Sequence, residues 1–234
     1  MNFNKIVTDE VCLKRIGLFG GTFDPIHFGH LRAALEVREA FALDETCLIP
    51  SAIPPHKIKS CVTKIDQRLA MIQLALGNSP LFTVSDIELK RLGPSYSIDT
   101  VDYFKSLYPD GSRLFLIMGV DAFLEIHTWK AYNELFQGIS IVVMTRPAGI
   151  KEINADSVKT IGAYLKDRIS TGYHYSDKNS AYIHTSLPDV HVFKVSPLDI
   201  SSSMIRNLVK QGKSIRFFLP DKVVNYINNQ GLYR

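Results

Sequence analysis

Strand-length apolar runs alternate along this chain with stretches in which apolar residues return every three or four positions. Arg15–Phe19 forms a short apolar strand that ends in Gly20-Gly21. From His30 to Ala42, Leu31, Ala34, Leu35, Arg38 and Phe41 fall at helical spacing, so most of that stripe is apolar. Thr46–Ile49 is a second strand, followed by a proline-rich loop over Ser51–Lys59. Asp66 is placed to cap a helix carrying Leu69, Ile72 and Leu76, with Gly77 as its stop. Phe82–Val84 is a third strand, and Ser97–Leu107 a helix with Ile98, Val101 and Phe104 turned inward.

Leu114–Met118 and Ile139–Met144 are nearly continuous apolar runs, the mark of strands covered on both faces in a parallel sheet. The alternation predicts right-handed crossovers and an α/β fold: a Rossmann-like, doubly wound parallel sheet flanked by helices. Residues 150–188 interrupt it. They are polar, rich in Tyr, Ser and His, without sustained periodicity, and are expected to form a mixed or partly irregular excursion with room for a role in dimerisation. Val190–Val195 returns as a strand, and helices over Ser203–Lys210 and Asp221–Asn229 close the chain. The expectation is one domain over 1–234, with a core at 15–200 and a small C-terminal helical portion at 201–234.

With 234 residues, 46% hydrophobic and 21% charged, the chain can bury its own core, which excludes disorder and fibrous classes. The net charge of +4 is mild, with no run of more than two basic residues, so no nucleic-acid partner is expected and small polyanionic substrates fit better. Three cysteines (Cys12, Cys47, Cys61), an odd number without C-x-x-C spacing, suit a reducing compartment. Met1–Arg15 lacks the apolar segment of a signal peptide, and no run approaches the ~20 residues of a membrane span, so the expectation is cytoplasmic with no membrane partner.

The chemistry concentrates in Gly20-Gly21-Thr22-Phe23-Asp24-Pro25-Ile26-His27-Phe28-Gly29-His30, between the first strand and the first helix. Ligands of open α/β sheets bind outside the carboxyl ends of the strands, at the point where strand order reverses. Glycines there admit backbone N–H groups to a phosphate, and the helix N-terminus favours anions. The segment matches neither G-x-G-x-x-G nor a Walker A loop, which disfavours a dehydrogenase. His27 and His30, three apart, share one side of the first turn and can meet one ligand; the plainer reading is a pair that caps and packs. Zinc is disfavoured because no third Cys or His ligand with the usual spacing accompanies them. Near the C-terminus, Ile200-Ser201-Ser202-Ser203-Met204-Ile205-Arg206 sets three serines before a helix and an arginine one turn on, a second anion cradle.

These two motifs, in this order, resemble the signatures of the H-x-G-H nucleotidyltransferase superfamily. Over residues 15–150 and 190–233 the chain is most similar to the bacterial nicotinate-nucleotide adenylyltransferases. The similarity runs through Ile53-Pro54-Pro55-His56-Lys57, Gly93-Pro94-Ser95-Tyr96-Ser97, Ile117-Met118-Gly119-Val120-Asp121, Thr128-Trp129, Arg146-Pro147 and Leu219-Pro220. The resemblance implies transfer of the adenylyl group of ATP to nicotinate mononucleotide, with Mg²⁺ accompanying ATP, in a monomer or homodimer. It implies that His27, His30 and Arg206 are catalytic. Gly20, Gly21, Thr22, Phe23, Gly119, Asp121, Ile200, Ser201 and Ser203 would join them in holding ATP. Lys57, Tyr96, Ser97, Trp129 and Arg146 would hold the second substrate.

Some features depart from the family pattern. Lys130 follows Trp129 where relatives often carry an aromatic residue, and Ser97 replaces the usual Thr. Arg146-Pro147-Ala148-Gly149 has one residue more than the familiar R-P-G. Nicotinamide mononucleotide or phosphopantetheine as acceptor, or a non-catalytic nucleotide-binding regulator, are the alternatives.

Overall fold

The computed structural model describes residues 13–51, 62–91, 94–145 and 153–234. Strand β1 (Arg15–Gly21) leads into α1 (Phe28–Ala40), β2 (Glu45–Pro50), α2 (Ile65–Leu76) and β3 (Phe82–Val84). After α3 (Ile87–Lys90) and α4 (Ser97–Leu107) the chain returns to the middle of the sheet as β4 (Arg113–Gly119). Then follow α5 (Val120–Leu124), a 3₁₀ turn (Ile126–Thr128), α6 (Tyr132–Gly138) and β5 (Ser140–Thr145). Beyond them lie α7 (Ile153–Arg168), β6 (His174–Ser176), β7 (Ala181–Ile183), β8 (Val190–Lys194), α8 (Ser202–Lys210) and α9 (Asp221–Asn229).

Among the described residues the strands form one eight-stranded sheet in the order β3-β2-β1-β4-β5-β8-β7-β6. The pairs from β3 through β8 are parallel. The chain steps outward from β1 to β3 and then returns to lay β4 against β1's other edge, so strand order reverses between β1 and β4. Side chains alternate across the sheet as the pleat demands. Leu114, Leu116 and Met118 enter one apolar layer with Ile98, Val101, Phe104, Ile161 and Leu165. Phe115 and Ile117 enter the other with Ala34, Val37, Ile72, Ile205, Val223 and Ile227. Helices α4, α6 and α7 thus cover one face and α1, α2, α8 and α9 the other, as the unbroken apolar strands require.

The structure differs from the expectation in several places. The described part of the excursion, 153–188, carries regular elements: α7 crosses the first face, and β6 and β7 extend the sheet antiparallel, beyond β8. Gly162 interrupts the helical pattern of α7 in sequence, yet close packing accounts for it, since a Cβ there would collide with the Tyr182 hydroxyl. That hydroxyl donates to the Val158 carbonyl oxygen at 2.6 Å, pinning helix to hairpin. The antiparallel edge comes from short strands, each carrying too few residues for period-2 alternation to be read. The first helix begins at Phe28, two residues before His30. Lys64, not Asp66, precedes the second; Asp66 sits in its first turn, where its charge complements the helix dipole. The short helices α3, α5 and α6 had no legible stripe.

Candidate active site

The reversal between β1 and β4 places Gly20-Gly21 and Gly119 side by side at the carboxyl edge of the sheet. From Gly21 the chain turns through Phe23, whose φ of 48° is unusual for a bulky residue. Phe23 is 1% exposed, its ring packed edge-on against Phe19 (5.5 Å) and His30 (5.1 Å). Its side chain therefore belongs to the core, which leaves the backbone of this segment to face the opening. The Asp24–Pro25 peptide is cis.

His27 ends this loop as the residue preceding α1, and His30 lies in the first turn. Their rings stack with centroids 3.7 Å apart and planes 28° off parallel, so the pair acts as one unit at the helix start. His27 is buried and His30 half-buried. Gly29 leaves room for this stacking: a Cβ there would lie 3.0 Å from the His27 ring, which would have to give slightly, and at an ordinary 3.6 Å from the Ile200 carbonyl oxygen.

The second motif docks on the first. Ser202 Oγ donates to the Pro25 carbonyl oxygen (2.9 Å), and Arg206 donates through Nη1 to that of Asp24 (2.7 Å) and through Nη2 to Ser203 Oγ (3.1 Å). Ser201 caps α8, its Oγ accepting from the Met204 N–H at 3.1 Å. Only Ser201 precedes the helix; Ser202 and Ser203 form its first turn, a correction to three serines ahead of it. Glu36 of α1 accepts from the Ser196 N–H at 2.7 Å, tying down the approach to Ile200. Burial alone would raise the Glu36 carboxyl, but that bond and Arg32 hold it below its ordinary value.

Beside these motifs opens a cavity of about 640 Å³. Gly20, Gly21 and Thr22 line it on one side and Gly119 and Asp121 at the end of β4; Tyr96, Ser97, Trp129 and Lys130 line the other. Tyr96 precedes α4 and Ser97 opens it. Lys130 sits over the Tyr96 ring at 4.6 Å and pairs with Asp99 at 3.2 Å, so a cation stands at the aromatic end. Lys57 and Arg146 lie outside the described residues. A groove of about 830 Å³ between α8 and α9 includes no residue of either motif. Among the described residues no group of three or more His, Cys, Asp or Glu could hold a metal, and no helix is long and apolar enough to cross a membrane. Burial pushes the Cys47 thiol up to about 12, which leaves it unreactive near neutral pH.

Sequence reasoning missed three side chains that shape this site. Arg68 of α2 is 1% exposed and donates to the carbonyl oxygens of Thr63 (3.0 Å), Thr22 (2.6 Å) and Ser51 (2.7 Å). It ties together the loops leaving β1 and β2. Burial lowers its pKa, opposed by nearby Asp24. The signal was available: Arg68 falls on the apolar stripe of its helix beside Met71 and Ile72. Asp24 accepts from the Tyr233 hydroxyl (2.7 Å) and the Thr63 N–H (3.2 Å), with no local cue. Burial, followed by the charge of Asp24, raises the pKa of the Tyr233 hydroxyl. Glu88, buried at the cavity wall, accepts from Thr100 Oγ1 at 3.0 Å.

A cytidylyltransferase-like family model matches residues 18–208. Proteins named probable nicotinate-nucleotide adenylyltransferase in Desulfatibacillum aliphaticivorans and Pseudomonas fluorescens are 40% and 43% identical to this chain. The alignments cover 94% of this chain and 99% and 98% of those proteins. The chain belongs to the nicotinate-nucleotide adenylyltransferase family. The structure of Plasmodium falciparum nicotinic acid mononucleotide adenylyltransferase complexed with NaAD is similar, at a TM-score of 0.66 and 17% identity, over 94% of this chain and 97% of that one. A second structure of that protein, complexed with APC, has a TM-score of 0.64 over the same shares of the two chains. At this identity the likeness speaks for the fold. Family membership makes the chain a nucleotidyltransferase of the α/β class with Rossmann-like architecture.

Proposed function

We propose that the chain transfers the adenylyl group of ATP to nicotinate mononucleotide, giving nicotinate adenine dinucleotide and pyrophosphate. The observation that carries this reading is the docking of Arg206 onto the Asp24 carbonyl, which joins the two motifs proposed to bind phosphate, the first of them continuous through Gly20-Gly21-Thr22 with the wall of a cavity ending in Tyr96 and Trp129. A phosphate oxygen of the mononucleotide attacks the α-phosphorus; the bond from that phosphorus to the bridging oxygen breaks, and pyrophosphate leaves. The nucleophile is already ionised near neutral pH, so no general base is needed. The work is alignment of two polyanions and stabilisation of charge in flight.

In this reading His27 and His30 meet the ATP phosphates, with His30 nearest the α-phosphoryl group. Ser201, Ser203 and Arg206 hold the β- and γ-phosphates, helped by the N-terminus of α8. The backbone of Gly20, Gly21, Thr22 and Phe23, with Ile200 and Gly119, lines the nucleotide, and the Asp121 carboxylate accepts from ribose hydroxyls. Tyr96, Ser97 and Trp129 receive the pyridine ring, for which an aromatic wall is suited by stacking. Lys57 and Arg146 are assigned to the second substrate from sequence. Mg²⁺ enters with ATP as part of the substrate and neutralises phosphate charge.

Pyrophosphate release from ATP is the test, with nicotinate mononucleotide, nicotinamide mononucleotide or phosphopantetheine as acceptor. Release with the acid alone is the expected result. Preference for the amide would overturn the acceptor assignment and keep the chemistry. ATP binding without release with any acceptor would favour a regulator.

A further inference from the structure

No proposed substrate contact falls on α7, yet this helix bonds to the turn that carries Thr128 and Trp129 into the cavity wall. The hydroxyl of Tyr164 lies 3.0 Å from the backbone nitrogen of His127 and 2.8 Å from its Nδ1. With the ring proton on Nε2, the hydroxyl accepts the backbone N–H and donates its own proton to Nδ1, so both its capacities are used. The Tyr164 ring packs on Phe123 at 5.4 Å, and Phe123 is fully buried in α5. Tyr164 is thus held by the core on one side and holds the 3₁₀ turn Ile126–Thr128 on the other.

That turn is short. Its own hydrogen bonds are single-turn bonds, such as the Trp129 N–H to the Ile126 carbonyl oxygen and the Thr128 N–H to that of Glu125, both 2.9 Å, while Ile126 is buried in the core against which one side of Trp129 packs. Glu125, Thr128 and Trp129 all line the cavity. A three-residue turn does not fix an aromatic side chain to the few tenths of an ångström that ligand stacking asks for; a bond from a packed helix does.

We infer that Tyr164 is a positioning residue for the acceptor side of the site, its hydroxyl fixing the 126–128 turn and thereby the placement of Trp129. This gives part of the 150–188 excursion a functional role. It rests on the proposed reading that the acceptor's ring meets Trp129, and the test separates the two.

Trp129 is the only tryptophan, so its fluorescence reports the turn without any substrate. In Tyr164→Phe, acrylamide quenching of free-enzyme fluorescence should rise about twofold. With ATP and nicotinate mononucleotide, the KM for the mononucleotide should rise roughly five- to tenfold, the value of one or two net hydrogen bonds, while kcat and the KM for ATP stay within about twofold. His127→Ala, which leaves α7 intact, should reproduce both changes and carries the test if Tyr164→Phe does not fold. His127→Asn, which keeps an acceptor near the Nδ1 position, should recover most of the loss. Quenching and KM unchanged from wild type would overturn the inference, as would quenching that rises with no change in KM. A uniform fall in kcat with both KM values raised would reduce Tyr164 to a general structural role and equally overturn it. If the wild-type protein releases no pyrophosphate with the mononucleotide, the functional reading fails, and the quenching comparison still decides whether Tyr164 holds Trp129.

Discussion

Arg206 donates a 2.7 Å hydrogen bond to the carbonyl oxygen of Asp24, 182 residues upstream. One guanidinium thereby spans the two motifs: Nη1 is committed to the first and Nη2 to Ser203 of the second. Five donors in a rigid planar fork let the group make both bonds and keep N–H groups for a phosphate, a spacing that the compact lysine ammonium does not reproduce. Arg206→Lys should therefore lower kcat/KM for ATP by about tenfold or more, mostly through KM, with little change in the melting temperature. Steady-state kinetics at fixed acceptor would show it, and wild-type constants for the lysine variant would remove Arg206 from phosphate binding.

The stacked His27–His30 pair gives a second prediction. Gly29→Ala places a methyl group 3.0 Å from the His27 ring, so the ring must give way by a few tenths of an ångström. Alanine also favours the helix by up to about 1 kcal/mol over glycine, which offsets the crowding. Stability should stay near wild type while kcat falls about tenfold or more, because the imidazoles are displaced from the reacting phosphate. His30→Ala, leaving His27 in place, should cost roughly 100-fold in kcat with much less effect on ATP binding. Equal losses in rate and in calorimetric ATP affinity would argue against a transition-state role for His30.

Arg68 should be the most sensitive position away from the substrates. Replacing it by Leu leaves the carbonyl oxygens of Thr63, Thr22 and Ser51 without this donor and removes a cation whose charge interacts with Asp24. Breaking a buried charged network of this kind costs about 3–5 kcal/mol, which urea denaturation would register. A loss below about 1 kcal/mol would mean that water replaces the guanidinium freely.

His191 predicts how stability depends on pH. Burial against Phe41 and Phe115 lowers its pKa below 6.5, with Arg113 and Arg15 acting in the same direction and Asp189 opposing. The folded state thus prefers the neutral ring, and below 6.5 the unfolded chain takes up a proton that the folded chain resists. Stability should fall as pH drops through 6.5 toward the folded-state pKa. His191→Phe should flatten that slope. Measurements kept above pH 5 stay clear of Glu36, whose depressed carboxyl matters below its ordinary 4.5. An unchanged slope in the phenylalanine variant would refute the assignment.

Much of this architecture was written locally. Strand β3 and helices α4 and α9 occupy the residues their apolar spacing marks, because a buried stripe or run is visible within one element. Helix α7 was harder to see. Its stripe of Val158, Ile161 and Leu165 is diluted by charged neighbours and by Gly162, whose reason is the Tyr182 hydroxyl of another element. The role of Arg68 is not legible locally, because a cation on an apolar face looks like an exception until its carbonyl partners are known. Tyr164 is not legible as a positioning group, because a tyrosine in a polar stretch carries no sign of what its hydroxyl meets.

By itself the sequence determined strands β1–β5 and β8, helices α1, α2, α4, α8 and α9, and the two segments proposed to bind phosphate, since short-range backbone preference and burial period are properties of neighbouring residues. The tertiary structure alone decided which loops Arg68 ties together, that Asp24 meets Tyr233, that Tyr164 holds the turn before Trp129, and that the sheet ends in an antiparallel hairpin. Those outcomes depend on which chain-distant groups the crossovers bring within hydrogen-bond reach. A bond between residues 182 apart has no trace in the spacing of either segment.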